Sequence, residues 1–266
     1  MAAGFNFELL ACRLSFSTEG HIQFPARASN VFRGALGYVL PEETFRPKST
    51  GGPSGLTDAP RPFVLQAKEL DGLVIAGSSF GCDLNLFDSG LEPVFRQAFE
   101  RLAEVGIGPA RTPLKLLAWV ARPVEVRLDE TQPASRVRVH FETPTELKGW
   151  DSAGLPAFGV LMRRLRDRVS ALRTLYGDGA LEIDFRNFGE RADKVVTVSG
   201  ELQPNRAART SSRTGQTHPL GGMTGWAEYE GDLDEFVPYL RVAAFTGVGR
   251  QTVWGHGRLG LEILGH

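Results

Sequence analysis

The sequence predicts an α+β fold of two tandem ferredoxin-like units, each with the element order β-α-β-β-α-β. Two observations carry this prediction: strand and helix patterns follow that order through the first half of the chain, and the same order returns in the second half. We place an N-terminal domain at residues 1–125 and a C-terminal domain, which ends in a glycine-rich segment, at residues 135–266. The linker between them is expected near Arg122–Ser135.

The first half begins with a strand over residues 5–17, where apolar and polar side chains alternate. A turn through His21 leads to a helix that ends near Leu40 and leaves Arg33 outside its apolar stripe. Pro41–Pro62 is rich in proline, glycine and serine and predicts a long, mobile loop. The remaining predicted elements are strands at Phe63–Leu65 and Ser79–Leu86, a strongly periodic helix at Leu91–Leu102 and a strand at Leu114–Val120.

The second half repeats this plan. Asp232, with Glu235 three positions later, resembles a capping box and predicts the start of the last helix. The expected elements are a strand at Arg136–Glu142, a helix at Phe158–Leu172, strands near 181–186 and 193–202, a hairpin through 217–230, the last helix through Leu240 and a last strand at Leu259–Leu264.

Composition limits the class of protein. A chain of 266 residues with 42% hydrophobic residues can form a sizeable core. Neither a secretory signal nor an apolar run of about 18 residues is present, so we expect a cytoplasmic protein without a membrane segment. Cys12 and Cys82 are too few for a disulfide framework and too far apart for a CxxC metal site. The net charge of −1 does not indicate a polyanionic partner, so any evidence for such a partner must come from the distribution of charge along the chain.

The segment between the last helix and the last strand is rich in glycine. Such a backbone adopts positive φ and permits close approach, as a phosphate held on main-chain N–H groups requires. No acidic residue occurs from Phe236 to Leu261 to neutralise the basic side chains there. We therefore predict phosphate binding, in which an alanine at Gly249 would obstruct the ligand. The residues concerned are Gly247, Gly249, Arg250, Gly255, His256, Gly257 and Arg258.

Two other phosphate-binding patterns do not fit this segment. A dinucleotide fingerprint needs a glycine where Thr252 stands, and a Walker loop needs Gly-Lys-Ser/Thr, which is absent. A glycine-rich connection without a ligand remains the alternative.

Three motifs carry a resemblance to a known family. Gly-Val-Gly-Arg-x-x-x-x-Gly-x-Gly starts at Gly247, Val-Phe-Arg-Gly-Ala-Leu-Gly starts at Val31, and Arg-Thr-Ser-Ser-Arg-Thr-Gly starts at Arg209, with further glycines at 221, 222 and 225. In this order they resemble the repeat-associated RNA-binding (RAMP) proteins of CRISPR systems. Within that superfamily the chain is most similar to the endoribonuclease that cuts the CRISPR repeat transcript into guide RNAs. The resemblance implies the same two tandem domains.

Basic side chains cluster at two further places. Five arginines of the helix at Phe158–Leu172 and just beyond it are interpreted as a solvated face rather than an RNA surface. From Leu202 to Ala227 there is no acidic residue, and serine and threonine hydroxyls lie among the basic side chains, which favours RNA contact. Together with the glycine-rich segment and Arg33 of the first helix, the predicted RNA contacts there are Arg209, Ser211, Arg213 and His218.

Cutting RNA without a metal ion requires a base for the ribose 2′-hydroxyl, an acid for the leaving oxygen and a cation for the developing charge. The resemblance implies a catalytic histidine on or beside the first helix, and His21 precedes that helix. Tyr38, near the helix end, is its expected partner. His140 and His218 are the alternatives, because both lie among basic residues. No cofactor and no metal ion are expected.

Two functions remain open from sequence. The first is a metal-independent endoribonuclease that acts on CRISPR repeat RNA; the second is a non-catalytic RNA-binding RAMP subunit of an interference complex. The expected partners are CRISPR repeat RNA, other CRISPR interference subunits and a second copy of the chain in a homodimer, with no membrane partner.

Overall fold

The computed structural model describes residues 5–24, 28–45, 47, 59–67, 70, 72–150, 154–205, 208–210, 217–219 and 221–265. Two four-stranded antiparallel sheets, one built from each half of the chain, form its framework.

The first half contains a ferredoxin-like unit with additions. Its elements are β1 (Asn6–Thr18), β2 (Ile22–Phe24), α1 (Ala28–Val39), α2 (Glu42–Phe45), β3 (Phe63–Gln66), β4 (Gly72–Val74), β5 (Ser79–Leu86), a 3₁₀ turn at Ser89–Leu91, α3 (Glu92–Val105) and β6 (Leu114–Arg127). The sheet has the order β3-β5-β1-β6, which places the first and third strands of the unit at its centre. β2 and β4 form a small two-stranded sheet beside it.

The second half repeats this topology. Its elements are β7 (Arg136–Thr145), α4 (Phe158–Tyr176), α5 (Phe185–Ala192), β8 (Val196–Asn205), β9 (Ala208–Thr210), β10 (Thr217–Pro219), β11 (Gly222–Glu230), α6 (Val237–Thr246), a 3₁₀ turn at Thr252–Trp254 and β12 (Leu259–Gly265). The sheet order β12-β7-β11-β8 again places the first and third strands of the unit at the centre. The predicted α+β fold of two tandem ferredoxin-like units is confirmed.

Strand β1 serves both halves. Its residues Leu14 and Phe16 face α1 and α3, where the ring of Phe16 lies 6.0 Å from Phe32 and 6.1 Å from Phe99. Phe7 and Leu9, which point to the opposite face of the strand, are buried in the core of the second half. The sequence predicted a polar second face for this strand; at its N-terminal end that face is instead covered by the C-terminal half.

Several predicted boundaries differ from the structure. Residues 181–186 do not form a strand, because Asp184 caps α5 by accepting hydrogen bonds from the N–H groups of two residues in its first turn. α6 begins at Val237 rather than Asp232, with a proline in its first turn. β6 pairs with the whole of β1 and reaches Arg127, so it occupies the start of the predicted linker. α2 lies inside the predicted loop at Pro41–Pro62.

The predicted hairpin through 217–230 also forms differently: β10 pairs with β9, and β11 pairs with β7 and β8. Among the helices that the structure describes, none is long and apolar enough to cross a membrane.

Candidate nucleic-acid interface

The glycine-rich segment, residues 247–258, connects the C-terminus of α6 to β12 across the edge of the second sheet. Its four predicted glycines all have positive φ, between 63° and 81°. A Cβ added at Gly249 would collide with the carbonyl oxygen of Glu146, and one at Gly257 with that of Val248. At Gly255 the nearest atom would be the Ser29 hydroxyl oxygen, at 2.6 Å, and at Gly247 the carbonyl oxygen of His256, at 2.9 Å. Packing within the protein therefore accounts for the four glycines.

The N–H groups of this segment bond mainly to the protein's own backbone. Val248 donates to the carbonyl of Gly257 (2.9 Å), and Arg250 donates to that of Glu146 (3.0 Å). Gly257 donates to the carbonyl of Pro144 (3.1 Å). The predicted cradle of N–H groups open to a phosphate is wrong for these three positions, because the turn is closed by hydrogen bonds to β7 and to itself. An RNA contact by the glycines stays a prediction.

The two arginines of the segment have acidic partners. Arg250 pairs with Glu146 at 2.7 Å, and Arg258 pairs with Glu142 at 2.9 Å. Both acids come from β7 or the residues that follow it, since β7 lies beside β12 in the sheet. The absence of acids from Phe236 to Leu261 thus does not leave the segment electropositive. His256 is buried, whereas the Arg250 side chain is 64% exposed and remains accessible to a ligand.

Arg33 is buried, although the sequence predicted that it would lie outside the apolar stripe of α1. Its guanidinium carbon lies 4.8 Å from the ring centre of Trp254 in the glycine-rich segment and 5.2 Å from that of Phe45 in α2. Both aromatic faces attract the cation. In this arrangement Arg33 joins α1 to the segment, and an RNA contact by Arg33 would require it to leave that position.

The two candidate catalytic residues are both exposed. His21 lies between β1 and β2, where its Nδ1 accepts a hydrogen bond from the Ala76 N–H (3.2 Å) and its carbonyl accepts one from the Thr112 hydroxyl (3.5 Å). Tyr38, in the last turn of α1, is 77% exposed. Within the described part of the chain, no hydrogen bond or ion pair joins His21 to Tyr38 or to the glycine-rich segment.

The stretch without acidic residues, Leu202–Ala227, begins within β8 and ends within β11. It forms a short hairpin of β9 and β10, in which Arg209 pairs with His218 in the backbone register. Ser211 and Arg213 lie outside the described residues. β9 and β10 thus lie in sequence between the edge strand β8 and β11, and each carries one of the predicted RNA contacts.

The arginines of α4 are used inside the protein, so the predicted solvated face is wrong for most of them. Arg166 and Arg173 are buried, and Arg163 forms an ion pair with Asp193. Arg168 donates to the Thr246 carbonyl (2.8 Å), and burial lowers the pKa of its guanidinium to about 10.

His140 lies on the open face of the second sheet, where its Nε2 is 3.5 Å from Glu262. Next to it, Arg136 and Arg138 hold the buried carboxylate of Glu228, and their hydrogen bonds lower its pKa to about 2. Arg138 also lies 4.7 Å from the ring centre of Trp226. His140, the alternative histidine, thus lies beside a network of ion pairs between arginines and glutamates.

Residues 139–259, from β7 to the first residue of β12, match the model of one protein family, the CRISPR-associated endoribonuclease Cas6. This match covers less than half of the chain and places its similarity to that family in the C-terminal half. Among curated proteins, no sequence matches this chain.

Solved structures share the fold of the whole chain. A Cas6 product complex is 20% identical, with 96% of this chain and 100% of that chain covered and a TM-score of 0.64. Thermus thermophilus Cas6 is 18% identical, with 96% and 98% covered and a TM-score of 0.59. A RAMP protein binding different RNA substrates is 13% identical, with 95% and 99% covered and a TM-score of 0.52.

Proposed function

We propose that this protein binds CRISPR repeat RNA and cleaves the precursor transcript into guide RNAs. The observation that carries the proposal is the match of residues 139–259 to an endoribonuclease family. The fold supports it, because structures of the same fold include Cas6 in a product complex and in a substrate-mimic complex.

We further propose that the chemistry needs no metal ion. A ribose 2′-oxygen would attack the adjacent phosphorus while the bond to the 5′-oxygen breaks, which leaves a 2′,3′-cyclic phosphate and a 5′-hydroxyl. The proton of the 2′-hydroxyl must pass to a base, and the leaving 5′-oxygen must receive one from an acid.

His21 is suited to the acid role. Its Nδ1 accepts the Ala76 N–H, which leaves Nε2 as the ring nitrogen that can contact RNA. In the acid role the ring is an imidazolium, which passes its Nε2 proton to the leaving oxygen. The base must then be a different group, and the exposed hydroxyl of Tyr38 is the candidate that the first helix offers.

RNA binding is assigned to the β9–β10 hairpin and to Arg250. The sequence from Leu202 to Ala227 contains no acidic residue, and arginines of such a stretch neutralise phosphates and release condensed counterions. The exposed ion pair of Arg250 with Glu146 contributes little to stability, so Arg250 can exchange its partner for a phosphate at small cost. A homodimer, association with other CRISPR interference subunits and a cytoplasmic location stay predictions.

A non-catalytic RNA-binding subunit is the second candidate function. Helix α1 contains no histidine, and the described contacts do not bring His21 and Tyr38 together. This arrangement suits a protein that holds RNA without cutting it.

A cleavage assay separates the two functions. A labelled RNA that carries the CRISPR repeat encoded in the same genome is incubated with the protein in EDTA. If the protein is an endoribonuclease, we expect one cut per repeat and a product that ends in a 2′,3′-cyclic phosphate. Binding without a cut supports the second candidate, and a cut that EDTA abolishes contradicts the metal-independent mechanism.

A further inference from the structure

The C-terminus of α6 is capped by side chains from elsewhere in the fold. The last carbonyls of a helix have no partner within the helix. Here the Ala244 carbonyl accepts from Gln66 Nε2 (3.2 Å), and the Phe245 carbonyl accepts from Asn85 Nδ2 (3.0 Å). The Thr246 carbonyl accepts from Arg168 (2.8 Å).

Two of these three donors come from the other half of the molecule. Gln66 ends β3 and Asn85 lies in β5, the neighbouring strand of the first sheet. Both residues are buried, with exposures of 5% and 4%. A buried amide that donates to a helix carbonyl is costly to remove, because the carbonyl would remain in the interior without a partner.

The N-terminal half holds the glycine-rich segment at a second place. Beyond the helix end, Trp254 lies against the Arg33 guanidinium, and Gly255 lies against the Ser29 hydroxyl. Arg33 and Ser29 both belong to α1. The segment is thus fixed at its start by β3 and β5 and near its end by α1.

We propose that Gln66, Asn85 and Arg33 are positioning residues that hold the glycine-rich segment in register with α1. The inference rests on the proposed function in one respect: it gives the segment a part in handling RNA. The physical claim is that the two halves must be docked for the segment to keep its conformation. The negative end of the α6 dipole favours donors at this position, and a carboxylate there would be repelled.

The first experiment needs no RNA. Amide hydrogen exchange is measured on the full chain with Gln66→Glu and with Asn85→Asp, which keep the side-chain shape but lose the donor. We expect protection of the Val248, Arg250 and Gly257 amides to fall about tenfold or more, while α3 amides are unchanged. Gln97→Glu, the same change at an exposed position of α3, is the matched control and should leave protection unaltered. Unchanged protection in both interface variants would overturn the proposal.

Arg33 supplies a test by conservative rescue. Arg33→Met removes the cation from Trp254 and should lower the protection of the segment, whereas Arg33→Lys should retain part of it. Equal protection in the two variants would show that the cation does not position the segment. If the carboxylate variants also lose α3 protection, Gln66→Met and Asn85→Leu replace them, because these remove the donor without adding a charge.

The second experiment measures cutting of the synthetic repeat RNA. Asn85→Asp should lower the single-turnover rate about tenfold at saturating enzyme, and Gln97→Glu should not. If the wild-type protein does not cut, the proposed function fails while the exchange experiment still decides the positioning role. If cutting is normal although the segment has lost protection, the segment does not position RNA for cleavage, and that part of the proposal is wrong.

Discussion

The two halves of the molecule share one topology, but the family match lies in one half and the candidate catalytic residues lie in the other. The family match lies almost wholly in the C-terminal half, at residues 139–259, where the glycine-rich segment is fixed by contacts within the protein. The candidate proton-transfer side chains, His21 and Tyr38, lie in the N-terminal half, outside the match, and both are exposed.

This difference separates residues that the packing of the fold requires from residues that only a catalytic role would require. A glycine at positive φ against a carbonyl oxygen is required by the backbone, whatever the protein does. Tyr38, at 77% exposure, has little packing to maintain it, so only a functional role would constrain it. A sequence pattern therefore reports the architecture of the second half more reliably than the chemistry of the first.

The sharpest test of the comparison is His21→Ala. If the N-terminal half supplies the acid, cleavage of the repeat RNA should fall by about 10²–10⁴-fold while RNA affinity is unchanged. The measurement is a single-turnover rate beside a filter-binding titration, with Gln97→Ala at an exposed position of α3 as the control. Undiminished cutting by His21→Ala would move the assignment to His140 or His218.

Gly257→Ala tests the interpretation that packing, and not a ligand, requires the glycines of the glycine-rich segment. Positive φ and the collision with the Val248 carbonyl should together cost about 2–4 kcal/mol and lower the melting temperature by roughly 5–15 °C. Gly34→Ala is the control, because an added Cβ at this position of α1 would meet open space; it should not destabilise the protein. A normal melt with weakened RNA binding would instead restore the phosphate contact predicted from sequence.

The basic hairpin should account for the salt dependence of RNA binding. Replacing Arg209 and Arg213 together by alanine should weaken binding and reduce the slope of log affinity against log salt by about two. Arg101→Ala with Arg186→Ala, two exposed arginines elsewhere, makes the same change in charge and should leave the slope unaltered. Equal slopes in the two double variants would exclude the hairpin.

The stability of the fold should depend on pH through Glu228, which lies on the open face of the second sheet. Hydrogen bonds from Arg136 and Arg138 lower the pKa of Glu228 from its ordinary 4.5 to about 2. The carboxylate thus stabilises the fold fully above about pH 4.5, and this contribution is lost as the pH falls towards 2. Melting temperatures between pH 2 and 5 should decline less steeply in Glu228→Gln than in the wild type, although the variant is less stable at neutral pH. Parallel curves would contradict the assignment.

The smallest effect is expected at the exposed pair of Arg250 and Glu146. Glu146→Gln frees the guanidinium, so RNA affinity should rise a few-fold while the free energy of unfolding changes by less than about 1 kcal/mol. Arg250→Ala should lower affinity without changing the melting temperature. If neither variant alters RNA binding, the segment is structural throughout.

The sequence by itself determined the architecture. Alternation in β1 and β7 and the helical period of α3 and α4 depend on neighbours along the chain, so local pattern was sufficient to predict two ferredoxin-like units. It failed where local pattern is ambiguous: residues 181–186 resemble a strand, but a side-chain cap at Asp184 starts a helix there instead. The four glycines were also recognised as a group, because glycine adopts positive φ without the steric cost of a Cβ.

Only the tertiary structure decided which partners the charged side chains have and which atoms the glycines pack against. Glu142 and Glu146 neutralise Arg258 and Arg250 across more than a hundred residues of chain, and such pairing depends on which strands are neighbours. The observed sheet order places β12 beside β7, and this neighbourhood brings Arg258 to Glu142. The capping of α6 by Gln66 and Asn85 depends on how the two halves dock, and a buried amide in a strand has no distinguishing sequence pattern.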